Sequence, residues 1–439
     1  MKFFFPDSQD LVDPSFDFIS ERRSRERLRH RDDVYAHQVF SERVYDGLLV
    51  SKGIVDGVGG VGSGKYTLAQ RHRLLRVGAR EFFRLQDTAG HPLEIMGDCG
   101  AFTYVREKVP PYSVDEVLDF YQECRFDLGV SLDHVILAYQ ANWDTPEHAD
   151  QIPTDLKERQ ELTLELAGEF LQKHRARRMR FQPLGVAQGW SPRSYARAVE
   201  RLQKLGYARI AVGGMVPLKT PEILASLEAI SKVRKPKTQL HLLGVTRSDN
   251  VVQFRDFGVT SFDSTSPLRQ AFKDERDNFY TMDRAYTAVR VPQVEGNPGL
   301  QKRIKAGQVA QPLARGHERR CLDQLKAYAA GECSLEEVIS SLQAYEHLYD
   351  PGHDHSSAYR EVLSDRPWAS CDCDVCKTLG YHVILFRGAE RNRRRGFHNL
   401  WVFYRRLRRE LGLSIPSAEG RVPHRRTRGE ALLSGEVYP

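Results

Sequence analysis

The chain has 439 residues, 41% of them hydrophobic and 28% charged, and a formal net charge of +7. This length suits a core of roughly 200 to 250 residues with additions, or two domains, and the composition excludes a disordered or fibrous chain. No apolar run approaches the ~18 residues of a membrane span. The opening Met-Lys-Phe-Phe-Phe-Pro is too short for a secretory signal, and an odd cysteine count suits a reducing compartment, so the expected location is the cytoplasm.

Taken in order, residues 1–50 read as irregular and then strongly charged. Glu21 to Asp33 alternates both signs in the manner of a solvated helix. Gly57 to Thr67 contains G-x-G-x-x-G and nearly matches a phosphate loop from Gly59 to Lys65. Tyr66 stands where that loop needs Ser or Thr to hold magnesium. The stretch therefore reads as a plain glycine loop.

From about residue 90 apolar runs end at a polar residue or glycine, each followed by a helical stretch. Glu94–Gly97 ends at Asp98, Leu128–Leu132 at Asp133, and Phe181–Ala187 at Gln188. Ala208–Val212 ends at Gly213-Gly214, Leu240–Leu243 at Gly244, and Gly258–Phe262 at Asp263. Helices are expected over Ser113–Cys124, Pro153–Lys173, Pro192–Leu205 and Pro221–Val233, several with proline in the first turn. Repeated strand–helix units predict an α/β fold with a parallel sheet. So many polar strand ends favour a (β/α)8 barrel with its site at the strand C-termini; a doubly wound open sheet is the alternative.

Residues 274–370 are less regular and read as a helical insertion between late barrel units. The full division is an N-terminal extension and first barrel elements over 1–90, main barrel over 91–273 and insertion over 274–370, followed by a zinc segment with the last barrel elements over 371–415 and a basic tail over 416–439.

Cys371, Cys373 and Cys376 form C-x-C-x2-C, and His398 follows downstream. Thiolates this close fold round one ion, and a distant imidazole can complete a Cys3His shell of structural zinc with no open position for substrate. Three free buried thiols are the alternative. Arg393, Arg394 and Arg395 lie in the same basic segment, and Arg303, Arg315, Arg319 and Arg320 in the insertion. Such clusters suit phosphate backbones, or else a solvated basic face.

Asp98 and Asp263 each end an apolar run and precede small residues. Two carboxylates facing one substrate can divide labour, one attacking an anomeric carbon and the other moving protons. Either can instead be an ordinary helix N-cap.

These residues carry a resemblance. D-C-G-A-F, beginning at Asp98, resembles the D-S-G-G-F motif of the tRNA-guanine transglycosylases, with Cys99 and Ala101 in place of Ser and Gly. G-V-A-Q-G, V-G-G-M and S-F-D-S resemble three further motifs of that family in the same order, and the C-x-C-x2-C with His398-Asn399 resembles its zinc site. The resemblance implies a TIM barrel with an inserted zinc subdomain that exchanges guanine in a nucleic acid for a 7-deazaguanine. By position it implies Asp263 as nucleophile at C1′ and Asp98 as general acid/base. Asp133, Gln188 and Gly214 would read the base, with Gly213, Cys99 and Gly244 completing the substrate pocket. Cys99 reads as a pocket wall, not a reactive thiol.

The opening P-D-S-Q-D-L-V-D-P, D-C-G-A-F and S-L-D-H look like the bacterial branch of the superfamily that modifies DNA, and the stretch from Asp263 to Cys371 exceeds the usual family arrangement. That likeness implies insertion of 7-cyano-7-deazaguanine (preQ0) into DNA within a modification and restriction system that can include an accessory protein. The other readings are the same chemistry on tRNA, or a non-catalytic zinc-dependent nucleic-acid-binding protein.

Overall fold

Eight short parallel strands pair in chain order and close on themselves in a computed structural model of the chain. They are β1 (Lys2–Pro6), β2 (Gly47–Ser51), β3 (Glu94–Asp98), β4 (Leu128–Val130), β5 (Gln182–Ala187), β6 (Arg209–Val212), β7 (Gln239–Leu242) and β8 (Val259–Asp263). β8 returns to β1 through Phe3↔Phe262 and Phe4↔Asp263. That pairing makes the sheet a (β/α)8 barrel and removes the open-sheet alternative. The structure describes residues 1–57, 65–85, 92–245, 247–273 and 276–415. Most of the near-match to a phosphate loop, residues 58–64, and the basic tail from 416 onward lie outside them.

Inward side chains of successive strands fill the barrel: Phe4, Leu49, Met96, Leu128, Val130, Leu184, Val186 and Ala211 form one buried cluster. Alternation along each strand sends the other residues outward, against the helices. Helix Val114–Glu123 begins where the Ser113 hydroxyl accepts from Glu116 N, while the Glu116 carboxylate accepts from Ser113 N. This reciprocal cap satisfies two otherwise orphaned donors. Helix Pro192–Leu205 starts at a proline and stops at Gly206, whose φ is 106°. It buries Tyr195, Ala198, Val199 and Leu202 on one face.

The chain divides into two compact units. The first comprises Met1–Gln9, Tyr45–Thr265 and Leu407–Ser414, and holds the barrel. The second comprises chiefly Asp10–Val44 and Ser266–Arg406. It is helical, with Pro298–Lys305, Gln311–Ala330, Leu335–Tyr349, Ser356–Asp365, Asp374–Leu379 and most of Gly388–Glu410. Leu325, Val338, Leu342, Tyr345, Tyr359 and Val362 are among its buried side chains. Among the described residues, no helix is long and apolar enough to cross a membrane.

Three expectations change. Residues 1–51, read as irregular and charged up to residue 50, supply β1 and β2, and a short helix, Lys52–Asp56, follows. Glu21 to Asp33 is not a helix: Glu21 and His30 have positive φ, and Asp17, Asp32 and Asp33 accept from the backbone N–H of Ile19, Leu28 and His30. Short carboxylates that capture nearby amides compete with the helix ladder. Residues 274–370 do not separate barrel strands, because all eight strands precede them.

Candidate active site and metal centre

The polar residue at the end of each apolar run arrives at one rim of the barrel, because parallel strands put all their C-termini on the same face. Asp98 closes β3 and Asp263 closes β8. Asp133, Gln188, Gly213-Gly214 and Gly244 follow β4, β5, β6 and β7.

Asp133 is buried, and among the described residues its carboxylate accepts from two side chains. The Cys99 thiol donates to one oxygen at 3.0 Å and the Gln188 amide to the other at 2.7 Å. The Tyr104 hydroxyl donates to Cys99 Sγ at 3.0 Å. Burial raises the Asp133 carboxyl above its ordinary range, and the Cys99 and Gln188 hydrogen bonds oppose that rise. Burial raises the Cys99 thiol as well, with the Asp133 charge adding to it, which favours the protonated form that donates to Asp133.

Gly213 and Gly214 form a floor under Gln188. A Cβ on Gly213 would lie 2.3 Å from Gln188 Nε2; one on Gly214, where φ is 73°, would lie 2.3 Å from Ile136 O. Glycine is what permits this approach.

Asp98 keeps part of its surface open, and its Oδ2 accepts from Gly100 N at 2.9 Å. Enclosure by the barrel walls, then the charges of Asp133 and Asp263, push its carboxyl up to about 7. Near neutral pH it can therefore both give and take a proton. Asp263 is buried, with Oδ1 accepting from Gly244 N at 3.0 Å and lying 3.1 Å from His241 Nε2. His241 and Tyr104 escaped the sequence reading. His241 is interior to an apolar strand, where the only signal was an imidazole between leucines. Tyr104 lies in a short turn with no periodicity to mark it.

In the second unit, Cys371, Cys373, Cys376 and His398 bring four ligand atoms within 4.8 Å of one another. His398 Nδ1 lies 3.7, 3.4 and 3.3 Å from the three sulfurs in that order. Its Nε2 donates to Tyr280 O at 2.7 Å, which leaves the Nδ1 lone pair facing the thiols. Asn399 accepts from Tyr280 N at 2.9 Å and donates to Asn278 O at 3.1 Å, holding the segment that orients His398. This donor set and tautomer fit one metal ion.

The arginines near the cluster are placed otherwise than expected. Arg395 is fully buried and donates to the carbonyls of Val383, Leu385 and Ala271 and to Asn392. Arg394 is buried and donates to Asp13 O at 2.8 Å, and Arg393 faces Glu390 at 3.7 Å. Arg387 pairs with Glu21 and Glu318, each at 2.7 Å, and Arg391 with Glu21. Buried and turned onto backbone carbonyls, these guanidinium groups are out of reach of a phosphate backbone, so Arg394 and Arg395 are internal struts. By contrast, Arg315, Arg319 and Arg320 are exposed on helix Gln311–Ala330.

Fold and site together define a (β/α)8-barrel enzyme with an acidic cluster at its C-terminal mouth and a separate Cys3His centre. No family model matches the chain. It is 49% identical over 417 residues, 94% of this chain and 98% of the relative, to a DNA-guanine transglycosylase of Salmonella montevideo. The chain belongs to that transglycosylase family, and is an enzyme of the pentosyltransferase type.

Proposed function

We propose that this enzyme exchanges guanine in DNA for 7-cyano-7-deazaguanine through a covalent sugar–Asp263 intermediate. The observation that carries the reading is the gathering of Asp98, Asp133 and Asp263 on one rim, with Asp98 poised near neutrality. The relative's name, DNA-guanine transglycosylase, supports guanine exchange and DNA as the substrate.

In the first half-reaction an Asp263 oxygen attacks C1′ as the C1′–N9 bond breaks. The electron pair leaves with guanine, which takes a proton from Asp98. In the second half Asp98 removes the N9 proton of the incoming base. That nitrogen attacks C1′, and the bonding pair returns to Asp263. Two displacements at one carbon retain configuration. Asp133 accepts from base N–H groups present in both guanine and its 7-deaza analogue, so one pocket serves both. Gln188, Cys99 and Gly213-Gly214 fix its position. A guanine within a duplex must first leave the stack, at a cost of a few kcal/mol. Arg319 and Arg320, exposed on helix Gln311–Ala330, offer charge to a phosphate backbone.

Zinc fits the soft thiolate–imidazole set, and with four protein ligands it would staple the second unit without entering the reaction. Labelled guanine offered with duplex DNA or with tRNA tests the reading. Label in DNA alone supports it, label in tRNA alone moves the substrate to RNA, and label in neither rejects both.

A further inference from the structure

One buried side chain at the mouth has no role in the reaction just described. His241 stands in Leu240-His241-Leu242, its side chain 1% exposed, inside the barrel. Its Nε2 lies 3.1 Å from Asp263 Oδ1 and its Nδ1 2.9 Å from Ser261 Oγ. Phe4 meets the ring edge-on, with centroids 5.8 Å apart. Asp263 Oδ1 also accepts from Gly244 N at 3.0 Å. Among the described residues nothing is hydrogen-bonded to Oδ2.

We infer that His241 is a positioning residue for Asp263, clamping Oδ1 so that Oδ2 is the oxygen presented to C1′. This rests on the reading of Asp263 as nucleophile. A carboxylate oxygen only accepts, so Nε2 must carry the proton that faces it. With a single ring proton placed there, the Nδ1 lone pair faces Ser261, whose hydroxyl can donate to it. The carboxylate thus selects the tautomer and Ser261 supports it from the far side of the ring, the His241 N–H and the Gly244 N–H hold one oxygen, and the other stays free.

The two donors act differently in the two halves of the exchange. In the first they orient the attacking oxygen while the Oδ2–C1′ bond forms. In the second they stabilise the charge that returns to the carboxylate as that bond breaks. A donor already in place needs no reorganisation at that moment. A core histidine that is merely satisfied by its neighbours would have the same contacts in the resting enzyme but no effect on turnover. That difference makes the two roles separable.

The site tolerates the test. His241 and Ser261 border a cavity of about 160 Å³ inside the barrel, also lined by Phe4, Met96, Leu184 and Leu240. Replacing the imidazole therefore does not force new atoms into filled space.

The experiment measures base exchange into DNA for the wild type, His241→Phe, His241→Gln, Ser261→Ala and Asp263→Ala, with melting temperature as the control for folding. His241→Phe keeps a ring and deletes both nitrogens; His241→Gln keeps an amide N–H able to reach Asp263. The expected result is a fall in kcat of roughly 10- to 100-fold in His241→Phe, the scale of a misplaced reacting group. KM for the base and affinity for DNA should stay within about threefold, because the interaction lost is one needed only in the reaction. His241→Gln should recover most of the rate, and Ser261→Ala should fall between. A His241→Phe enzyme that melts with the wild type and keeps kcat within about twofold overturns the inference. So does a loss of rate that His241→Gln does not recover and that comes with an equal rise in KM. If Asp263→Ala still turns over, the nucleophile reading fails and the inference goes with it. If Asp263→Ala is inactive while His241→Phe is unimpaired, positioning alone is rejected.

Discussion

Gln188 donates its side-chain amide to Asp133 at 2.7 Å while its own carbonyl oxygen accepts from the backbone N–H of Ile136 at 3.2 Å. That second bond fixes which end of the amide faces the carboxylate. Asp133 is thereby held as an acceptor in a site whose burial works against its charge. Replacing Gln188 by Leu removes one of the two donors to Asp133. We expect KM for the incoming base to rise about tenfold or more, the scale of a buried hydrogen bond to a charged group, with a smaller change in kcat. Steady-state kinetics with varied base would check this, and an unchanged KM would count against a base-reading role.

Gly213 and Gly214 should differ in their tolerance of alanine. At Gly213 the new methyl meets the end of the Gln188 side chain, which can yield only by giving up its bond to Asp133; at Gly214 it meets the Ile136 carbonyl, and φ is 73°. Backbone cannot step aside as a side chain can, and a left-handed residue disfavours a Cβ. Gly214→Ala should therefore lose more stability than Gly213→Ala, while both lose base affinity. Titration calorimetry and melting curves on both variants would show the order.

Asp98 makes a two-sided prediction. Its folded-state pKa near 7 exceeds the ordinary value of 3.8 because of burial and two neighbouring carboxylates. Between those values the native state binds the proton that the unfolded chain releases, so stability falls as pH rises from about 4 to 7. Asp98→Asn cannot ionise. It should melt above the wild type at pH 8, converge with it below pH 4, and be inactive throughout. Activity of the wild type should bend near pH 7. Identical melting of the two proteins at pH 8 would contradict the raised pKa.

The Cys3His centre predicts one metal ion per chain and a structural consequence for losing it. Cys373 is buried with the other ligands around it. Cys373→Ser, or prolonged chelation, should remove the ion and lower Tm by roughly 10 °C or more, as loss of several kcal/mol does in a domain of this size. Elemental analysis beside a melting curve tests it. Zinc retained at full stoichiometry in the serine variant would rule out this ligand set.

Arginines separate by burial in their expected phenotypes. Arg395→Glu puts a carboxylate among the carbonyls of Val383, Leu385 and Ala271, and should abolish soluble protein. Arg319→Glu with Arg320→Glu should leave Tm within about 2 °C and flatten the salt dependence of DNA binding. Unchanged affinity across a salt series in that double variant would remove those two residues from the interface.

Much of the barrel was legible because its strands declare themselves as apolar runs with a polar end. Asp98, Gln188 and Asp263 stood out for that reason, and the cysteine spacing announced a metal site. β1 was missed because three phenylalanines between Met-Lys and Pro carry no alternation to read. The basic segment misled for a different reason. Charge is visible in a sequence, but its partners are not: Glu21 and Asp13 lie hundreds of positions from Arg387 and Arg394, and only the fold turns a basic run into buried struts. His241 was hidden by its neighbours. A lone imidazole in an apolar strand gains meaning only from what closes against it across β8.

The most direct measurement incubates the protein with plasmid DNA and 7-cyano-7-deazaguanine and reads the nucleosides by mass spectrometry, beside Asp263→Ala and Asp98→Ala. The account predicts a 7-deazaguanine deoxynucleoside with the wild type and none with either variant. Incorporation that survives in Asp263→Ala, or that occurs only when tRNA replaces DNA, would contradict it.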